Sequence, residues 1–255
     1  MPPSTGRRST PSRAVRGGAD NPTMDAVIMA GGLGTRLRPL TYAIPKPLLP
    51  IGDRPTLEIL LVQLARAGVT RAFVSTGYKG ELIKSYFGDG HRFGLAIRYV
   101  EEKEPLGTAG ALCLVRKELT QPFLMVNGDI LTRYDFGAFY ERHCASGADL
   151  TAAAVRHEIT IPYGVIRGNG VAIEAVDEKP TESHLVLGGI YAVSPPALVH
   201  LPEGGGRVDV PELLTRIIQK GGRVLHQTVD AFWIDVAKMD DFERAREALA
   251  TWDEV

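Results

Sequence analysis

The sequence predicts an α/β fold: a three-layer α/β/α arrangement around a mixed, mainly parallel central sheet. Three observations lead there. Short apolar runs alternate with helix-period segments between Ala26 and Asn127, and such alternation builds parallel sheets covered on both faces. The first apolar run, Ala26-Val27-Ile28-Met29, passes directly into Gly31-Gly32-Leu33-Gly34. Further polar clusters follow later runs, at Glu101-Glu102 and at Asp129. Ligands of open parallel sheets gather at the carboxyl ends of the strands, so the three clusters are expected to converge on one edge.

The elements follow in order. A strand is expected over 26–29. Thr56 is read as the cap of a helix through Ala67, with Leu57, Leu60, Leu61 and Leu64 at helical spacing and Gly68 as its stop. Strands over 71–76, 97–101 and 122–127 enclose helices over 80–87 and 108–117. Beyond about residue 150 short strands dominate, over 150–155, 164–167, 171–176 and 185–192, with Gly168-Asn169-Gly170 as a turn. A helix over 211–220 opens on a proline suited to its first turn, strands follow over 224–229 and 232–236, and a helix over 240–250 closes the chain. No solenoid-type repeat is visible.

Bulk properties describe a globular chain. With 255 residues, 44% hydrophobic and 23% charged, it can bury a sizeable core. Residues 1–23 mix Pro, Ser, Thr, Gly and Arg without apolar periodicity, so they are expected to be disordered and the folded part to begin at Met24. They hold no apolar stretch of the kind a secretory signal needs, and no run elsewhere is long enough to cross a bilayer. The net charge of −1 is uneven: Arg7, Arg8, Arg13 and Arg16 against Asp20 make 1–23 +3 and the remainder −4. That remainder offers no basic face for nucleic acid. Two cysteines, Cys113 and Cys144, fit a reducing, cytoplasmic compartment and are read as buried structural thiols. The six histidines show no metal-ligand spacing, and no paired nucleophile and base is visible.

The chemistry concentrates early. Glycines let backbone N–H groups approach a phosphate closely, and Arg36 and Lys46 supply fixed cations to balance it. Lys46 has Pro45 and Pro47 on either side. A bare glycine triplet would also serve as a tight strand-to-helix turn. It is neither a P-loop, lacking Gly-Lys-Ser/Thr, nor a dinucleotide fingerprint. Arg38 reads equally well as a surface or packing residue. Asp129 and Asp235 each end an apolar run, and Mg²⁺ takes one or two carboxylates together with phosphate oxygens and water. Either aspartate alone also reads as a cap or turn former, Glu101 and Glu104 as an exposed acidic loop, and Glu178-Lys179 as a solvated pair.

The stretch from Ala30-Gly31-Gly32-Leu33-Gly34-Thr35-Arg36-Leu37-Arg38-Pro39-Leu40 to Pro45-Lys46-Pro47 resembles the signature of the sugar-1-phosphate nucleotidylyltransferases, and the resemblance spans 25 to the final helix. It implies a Rossmann-like single catalytic domain over 24–255, with no β-helix following, divided into a nucleotide-binding half, 24–150, and a sugar-phosphate-binding half, 151–255. It implies transfer of a nucleoside monophosphate to a sugar 1-phosphate with release of pyrophosphate. Arg36, Lys46, Asp129 and Asp235 are then the catalytic residues, the aspartates holding Mg²⁺. Ala30, Gly31, Gly32, Gly34, Thr35, Glu102, Gly107 and Thr108 would bind the nucleotide. Gly164, Glu178, Lys179 and Leu187 would bind the sugar phosphate. Glu102 falls where thymidylyl- and uridylyltransferases of the family have glutamine. An acceptor-only carboxylate suits the neighbouring donors of guanine, so GTP is favoured over UTP, dTTP and CTP. Leu187 stands where asparagine commonly meets sugar hydroxyls, which opens the acceptor to a deoxy, extended or carbocyclic sugar-like phosphate. After Asp235 the family usually has Gly, then Thr or Arg, and Pro; this chain has Ala237-Lys238-Met239. The alternatives left open are a thymidylyl-, uridylyl- or cytidylyltransferase and a non-catalytic, nucleotide-sugar-binding regulatory subunit. Homo-oligomers are common among proteins resembling this one, though no residue specifies a number of subunits.

Overall fold

The structure, a computed structural model, describes residues 24–252; the expected disorder over 1–23 lies outside the described residues. In chain order the elements are β1 (Met24–Met29), β2 (Pro50–Ile51), β3 (Arg54–Pro55), α1 (Thr56–Arg66), β4 (Val69–Thr76), α2 (Gly80–Phe87), β5 (Ala96–Glu101), α3 (Leu112–Val115), β6 (Phe123–Asn127), β7 (Ile130–Thr132), α4 (Phe136–Ser146), β8 (Leu150–Thr160), β9 (Gly164–Arg167), β10 (Ala175–Glu178), β11 (Thr181–Val193), α5 (Val210–Gln219), β12 (Val224–Thr228), β13 (Trp233–Asp235) and α6 (Met239–Leu249). Seven strands make one sheet in the order β12-β8-β11-β6-β1-β4-β5. β5, β4, β1 and β6 are mutually parallel. β11 runs against both its neighbours, and β8 and β12 resume the common direction. The mixed, mainly parallel sheet is as the alternation predicts.

Strand side chains point alternately to opposite faces, and β1 divides the core accordingly. Ala26 and Ile28 pack with Leu57, Leu60, Leu61 and Leu64 of α1, Ile83 and Phe87 of α2, and Phe136 and Phe139 of α4. Val27 faces the opposite layer, with Leu112 and Val115 of α3 and Leu213 and Ile217 of α5. Burial on both faces is why β1 and β6 read as unbroken apolar runs. Each fully buried Leu, Ile or Phe contributes about 1.5–3 kcal/mol. A third cluster of Ile51, Ile59, Leu131, Ile234 and Ala245 ties α6 and β13 to the end of β7. No helix among the described residues is long and apolar enough to cross a membrane.

Several local expectations are corrected. Thr56 is the first helical residue of α1 with Pro55 before it, and its hydroxyl donates to Leu49 O rather than capping the helix. The helix expected over 108–117 shrinks to α3, because Gly107 is left-handed (φ 79°) and the turns after it close on residues three back, at Leu112, Cys113 and Leu114. The strand expected over 171–176 begins only at Ala175. Four elements went unforeseen: the two-residue strands β2 and β3, β7 and α4. β7 is three residues long, and α4 is capped by Asp135, whose carboxylate accepts from Ala138 N–H at 2.9 Å. α4 turns Phe136, Phe139 and His143 inward and leaves Cys144 exposed, while Cys113 is half-buried. Neither cysteine is the buried thiol expected.

His143 is buried and bonded at both nitrogens, to Thr151 Oγ1 at 2.8 Å and Ser194 Oγ at 2.9 Å. Ser194 donates its own proton to Ala148 O at 2.9 Å, so it accepts from Nε2–H, and Nδ1 accepts from Thr151. A neutral ring therefore satisfies every partner, and burial holds the imidazole below its ordinary 6.5. As pH falls below that value the unfolded chain takes the proton first, so stability is complete above the histidine range and declines on acidification. The melting temperature is expected to fall between pH 7.5 and 5.5, and His143→Gln to lose part of that dependence. An identical pH profile in the variant would exclude the ring as its source.

Candidate active site

The carboxyl ends of β1, β4, β5 and β6 lie side by side, because these strands are parallel neighbours. At the end of β1, Ala30 N–H donates to Ser75 Oγ of β4 at 3.1 Å. Gly31 and Gly32 carry the chain off the sheet. Gly34 is left-handed (φ 60°), and Thr41 Oγ1 donates to its carbonyl at 2.8 Å, pinning the loop back on itself. A short 3-10 turn, Thr35–Leu37, follows with Leu37 buried and Thr35 and Arg36 exposed. The glycine run is thus an open turn at the strand end. Arg38 lies over the Tyr42 ring at 5.0 Å, a packing contact.

Opposite stands the segment after β5. Glu102 N–H donates to Thr76 O at 2.8 Å, continuing the sheet by one bond, and Glu102 Oε2 accepts from Leu106 N–H at 3.1 Å. Its other oxygen lies over Gly31, where an added Cβ would stand 2.7 Å away, so a glycine at 31 is what admits this carboxylate. Between the two segments lies a cleft of about 410 Å³. It is lined by Gly31, Gly32, Gly34 and Thr35, by Glu102, Pro105, Leu106, Gly107 and Thr108, and by Asn127 and Asp129 of the β6 end. Arg207 and Asp209 complete it. Neither was foreseen from the sequence; the run Gly204-Gly205-Gly206 before Arg207 was the available signal.

Asp129 links the cleft to a second group. β13 pairs antiparallel with β7, which sets Asp235 opposite Ile130, and Val236 N–H donates to Asp129 O at 3.0 Å. The two aspartates, 106 positions apart by their numbers, thus meet at one place. Lys46 Nζ forms an ion pair with Asp129 Oδ2 and lies 3.8 Å from Asp235 Oδ1. The Lys46 side chain is only 14% exposed. Burial first, and then the charge of Asp129, push the Asp235 carboxyl up to about 6, against the opposing pull of Lys46 and Arg36. Asp129 Oδ1 and Asp235 Oδ1 are buried without a hydrogen-bond partner. Two such oxygens, with one ammonium against two carboxylates, fit a hard divalent cation.

The residues expected on the sugar side form a cluster of their own. Gly164 and Glu178 are paired across the β9–β10 hairpin, and a Cβ at Gly164 would stand 3.3 Å from Glu178 Oε2. Lys179 is exposed and left-handed (φ 49°), its N–H donates to Tyr163 O at 3.2 Å, and its ammonium is 3.8 Å from Glu178 Oε1. None of these three is part of the cleft lining. Leu187, 40% exposed, precedes a bulge in β11 at Gly188-Gly189. That bulge abuts the cleft: Gly189 is left-handed, and a Cβ there would stand 2.8 Å from Asn127 Nδ2.

The family model for nucleotidyl transferases matches residues 25–251. The chain is 34% identical over 233 residues to the mannose-1-phosphate guanylyltransferase of Mycobacterium tuberculosis, covering 89% of this chain and 64% of that protein. It is 33% identical over 230 residues to the D-glycero-alpha-D-manno-heptose 1-phosphate guanylyltransferase of Aneurinibacillus thermoaerophilus, covering 89% of this chain and 98% of the relative. Thus it spans less than two thirds of the first relative and nearly all of the second. The crystal structure of HddC from Yersinia pseudotuberculosis complexed with GMP-PN superposes with a TM-score of 0.69 at 26% identity, over 89% of this chain and all of that one. With the glycine turn, the cleft and the acidic pair at one sheet edge, and a family match across nearly the whole described fold, the chain belongs to the nucleotidyl transferase family.

Proposed function

We propose that this protein is a sugar-1-phosphate nucleotidylyltransferase, transferring GMP from GTP to a sugar 1-phosphate and releasing pyrophosphate. The observation that carries the reading is the junction at Asp129, which lines the glycine-walled cleft and also anchors Lys46 beside Asp235. The names of the two curated relatives, both guanylyltransferases of sugar 1-phosphates, support the reaction class.

The residues divide the work. Backbone amides from Gly31 to Thr35 receive the triphosphate, the Ala30 N–H expected among them being taken by Ser75 Oγ instead, with Arg36 at the β- and γ-phosphates. Lys46 meets the α-phosphate and the incoming sugar phosphate, stabilising charge on the transferring group. Asp129 and Asp235 would hold Mg²⁺, which when bound supplies Lewis-acid neutralisation of phosphate oxygens. Lys179 binds the phosphate of the acceptor, Glu178 and the Gly164 backbone its hydroxyls, and Leu187 sets an apolar surface against the sugar. A sugar-phosphate oxygen forms the new bond to the α-phosphorus, and the bond to the β-phosphate oxygen breaks with its electron pair leaving on pyrophosphate. The attacking oxygen is already anionic near neutral pH, so no general base is needed, and positioning supplies most of the rate.

A panel of GTP, UTP, dTTP and CTP crossed with sugar 1-phosphates, scored by pyrophosphate release, tests the reading; silence across the panel would refute it. Base choice has its own test in Glu102→Gln. The amide can no longer offer two acceptors to guanine's donors, so the ratio of kcat/KM for GTP over UTP is expected to fall about tenfold. An unchanged ratio would show that another group reads the base.

A further inference from the structure

The wall of the cleft that carries Glu102 and Gly107 is clasped from the far end of the sequence. Thr108 N–H donates to Asp209 Oδ1 at 2.9 Å, and the Thr108 hydroxyl lies 3.3 Å from the same oxygen. In return, Val210 N–H donates to Thr108 Oγ1 at 2.8 Å. Two backbone bonds flank this exchange, Val208 N–H to Leu106 O at 2.9 Å and Ala109 N–H to Val208 O at 3.0 Å. Asp209 stands immediately before α5, where an aspartate ordinarily accepts from its own helix's first amides. Here it makes no such bond. Its acceptor serves the loop instead, and the loop's threonine takes the helix amide.

The fit is close and costs freedom elsewhere. A Cβ at Gly107 would stand 2.7 Å from Asp209 Oδ1 and equally near Val208 O, and Gly107 is left-handed besides, so the approach requires glycine on both counts. Arg207 lies 3.5 Å from Asp209 Oδ2 and faces the same cleft. The bond from Thr108 N–H, with Arg207 assisting, holds the Asp209 carboxyl below the usual carboxylate range. A helix N-terminal residue that gives up its own cap to hold a binding loop is acting on the loop.

Resting on the transferase reading above, we infer that Asp209 is a positioning residue for nucleotide selection: by holding Thr108 it sets the wall that carries Glu102 against the glycine turn, without touching the reacting atoms. Two variants separate this from a structural role. Asp209→Ser remains a good cap for α5 but is too short to hold Thr108, whereas Asp209→Asn keeps an acceptor for Thr108 N–H. In the serine variant, KM for the preferred nucleoside triphosphate is expected to rise about tenfold, as for loss of a charge-assisted bond. Its advantage over the other triphosphates should shrink. The kcat and the KM for the sugar 1-phosphate should stay within about twofold of wild type, and the asparagine variant should recover to within about threefold. Titration calorimetry with each of GTP, UTP, dTTP and CTP, without sugar, reads the same loss as binding. Unaltered nucleotide affinity in the serine variant would overturn the inference, as would equal damage in both variants or parallel loss for both substrates with a lowered melting temperature. Should wild type release no pyrophosphate with any pair, the transferase reading fails, and calorimetry alone then decides the clasp.

Discussion

Lys46→Ala is expected to lower kcat by about a thousandfold or more while moving the melting temperature by only a few degrees. The ammonium is largely buried between Asp129 and Asp235, and the lysine opens a 3-10 turn between Pro45 and Pro47 that limits its backbone freedom. A cation held this way is organised before substrate arrives, which is the condition for electrostatic stabilisation of a transferring phosphoryl group. Asp129→Asn keeps the shape and removes the charge, and a loss of the same order is expected, since the asparagine can neither anchor Lys46 as strongly nor serve as a hard anionic ligand. The stability cost is small in both because the group sits at the ends of strands, outside the three apolar clusters. Pyrophosphate release at saturating substrate, alongside circular-dichroism melts, checks both halves. Turnover within about tenfold of wild type in either variant would remove that residue from the chemistry.

Phe73→Ala carries the largest expected effect on stability, about 3–5 kcal/mol, or a fall in melting temperature of about 6–20 °C for a domain of this size. Phe73 is fully buried in the middle of β4, in the layer covered by α3 and α5. The Arg71 and Arg98 guanidinium groups lie 4.7 Å and 5.7 Å from its ring centre. Arg71 is held by two bonds to Asp25, at 3.0 Å and 2.6 Å, so it cannot readily swing into the space left behind. β4 delivers Ser75 to the cleft two residues later, and Thr76 O next to it accepts from Glu102 N–H. Below its lowered melting temperature the variant is therefore expected to keep its KM values, because β1 and β5 still fix β4 from both sides. Thermal melts check the first claim. A loss under about 1 kcal/mol would mean that the helix layer collapses into the gap.

What was legible in the sequence follows from local physics. Buried parallel strands have to be apolar on both faces, so 26–29, 71–76 and 122–127 announced themselves, as did α1 through its leucine spacing. Elements whose signal is shared with distant partners did not. β7 is three residues long and exists through its pairing with β13. α4 has a weakly amphipathic stretch behind a good aspartate cap. The turns from Gly107 to Ala111 yield to contacts with Val208 and Asp209 that no local window contains.

The same division runs through the candidate site. The sequence by itself determined the kinds of group on offer, namely a glycine turn able to expose amides, two cations close behind it and carboxylates at strand ends, because residue chemistry and a strand-end position are both local properties. Only the tertiary structure decided that Asp235 stands beside Asp129 with Lys46 against both, that Glu102 leans over Gly31, and that Asp209 holds Thr108. Those are contacts between segments that share no sequence neighbourhood, created when parallel strands line up their carboxyl ends and the β7–β13 pair folds back across them.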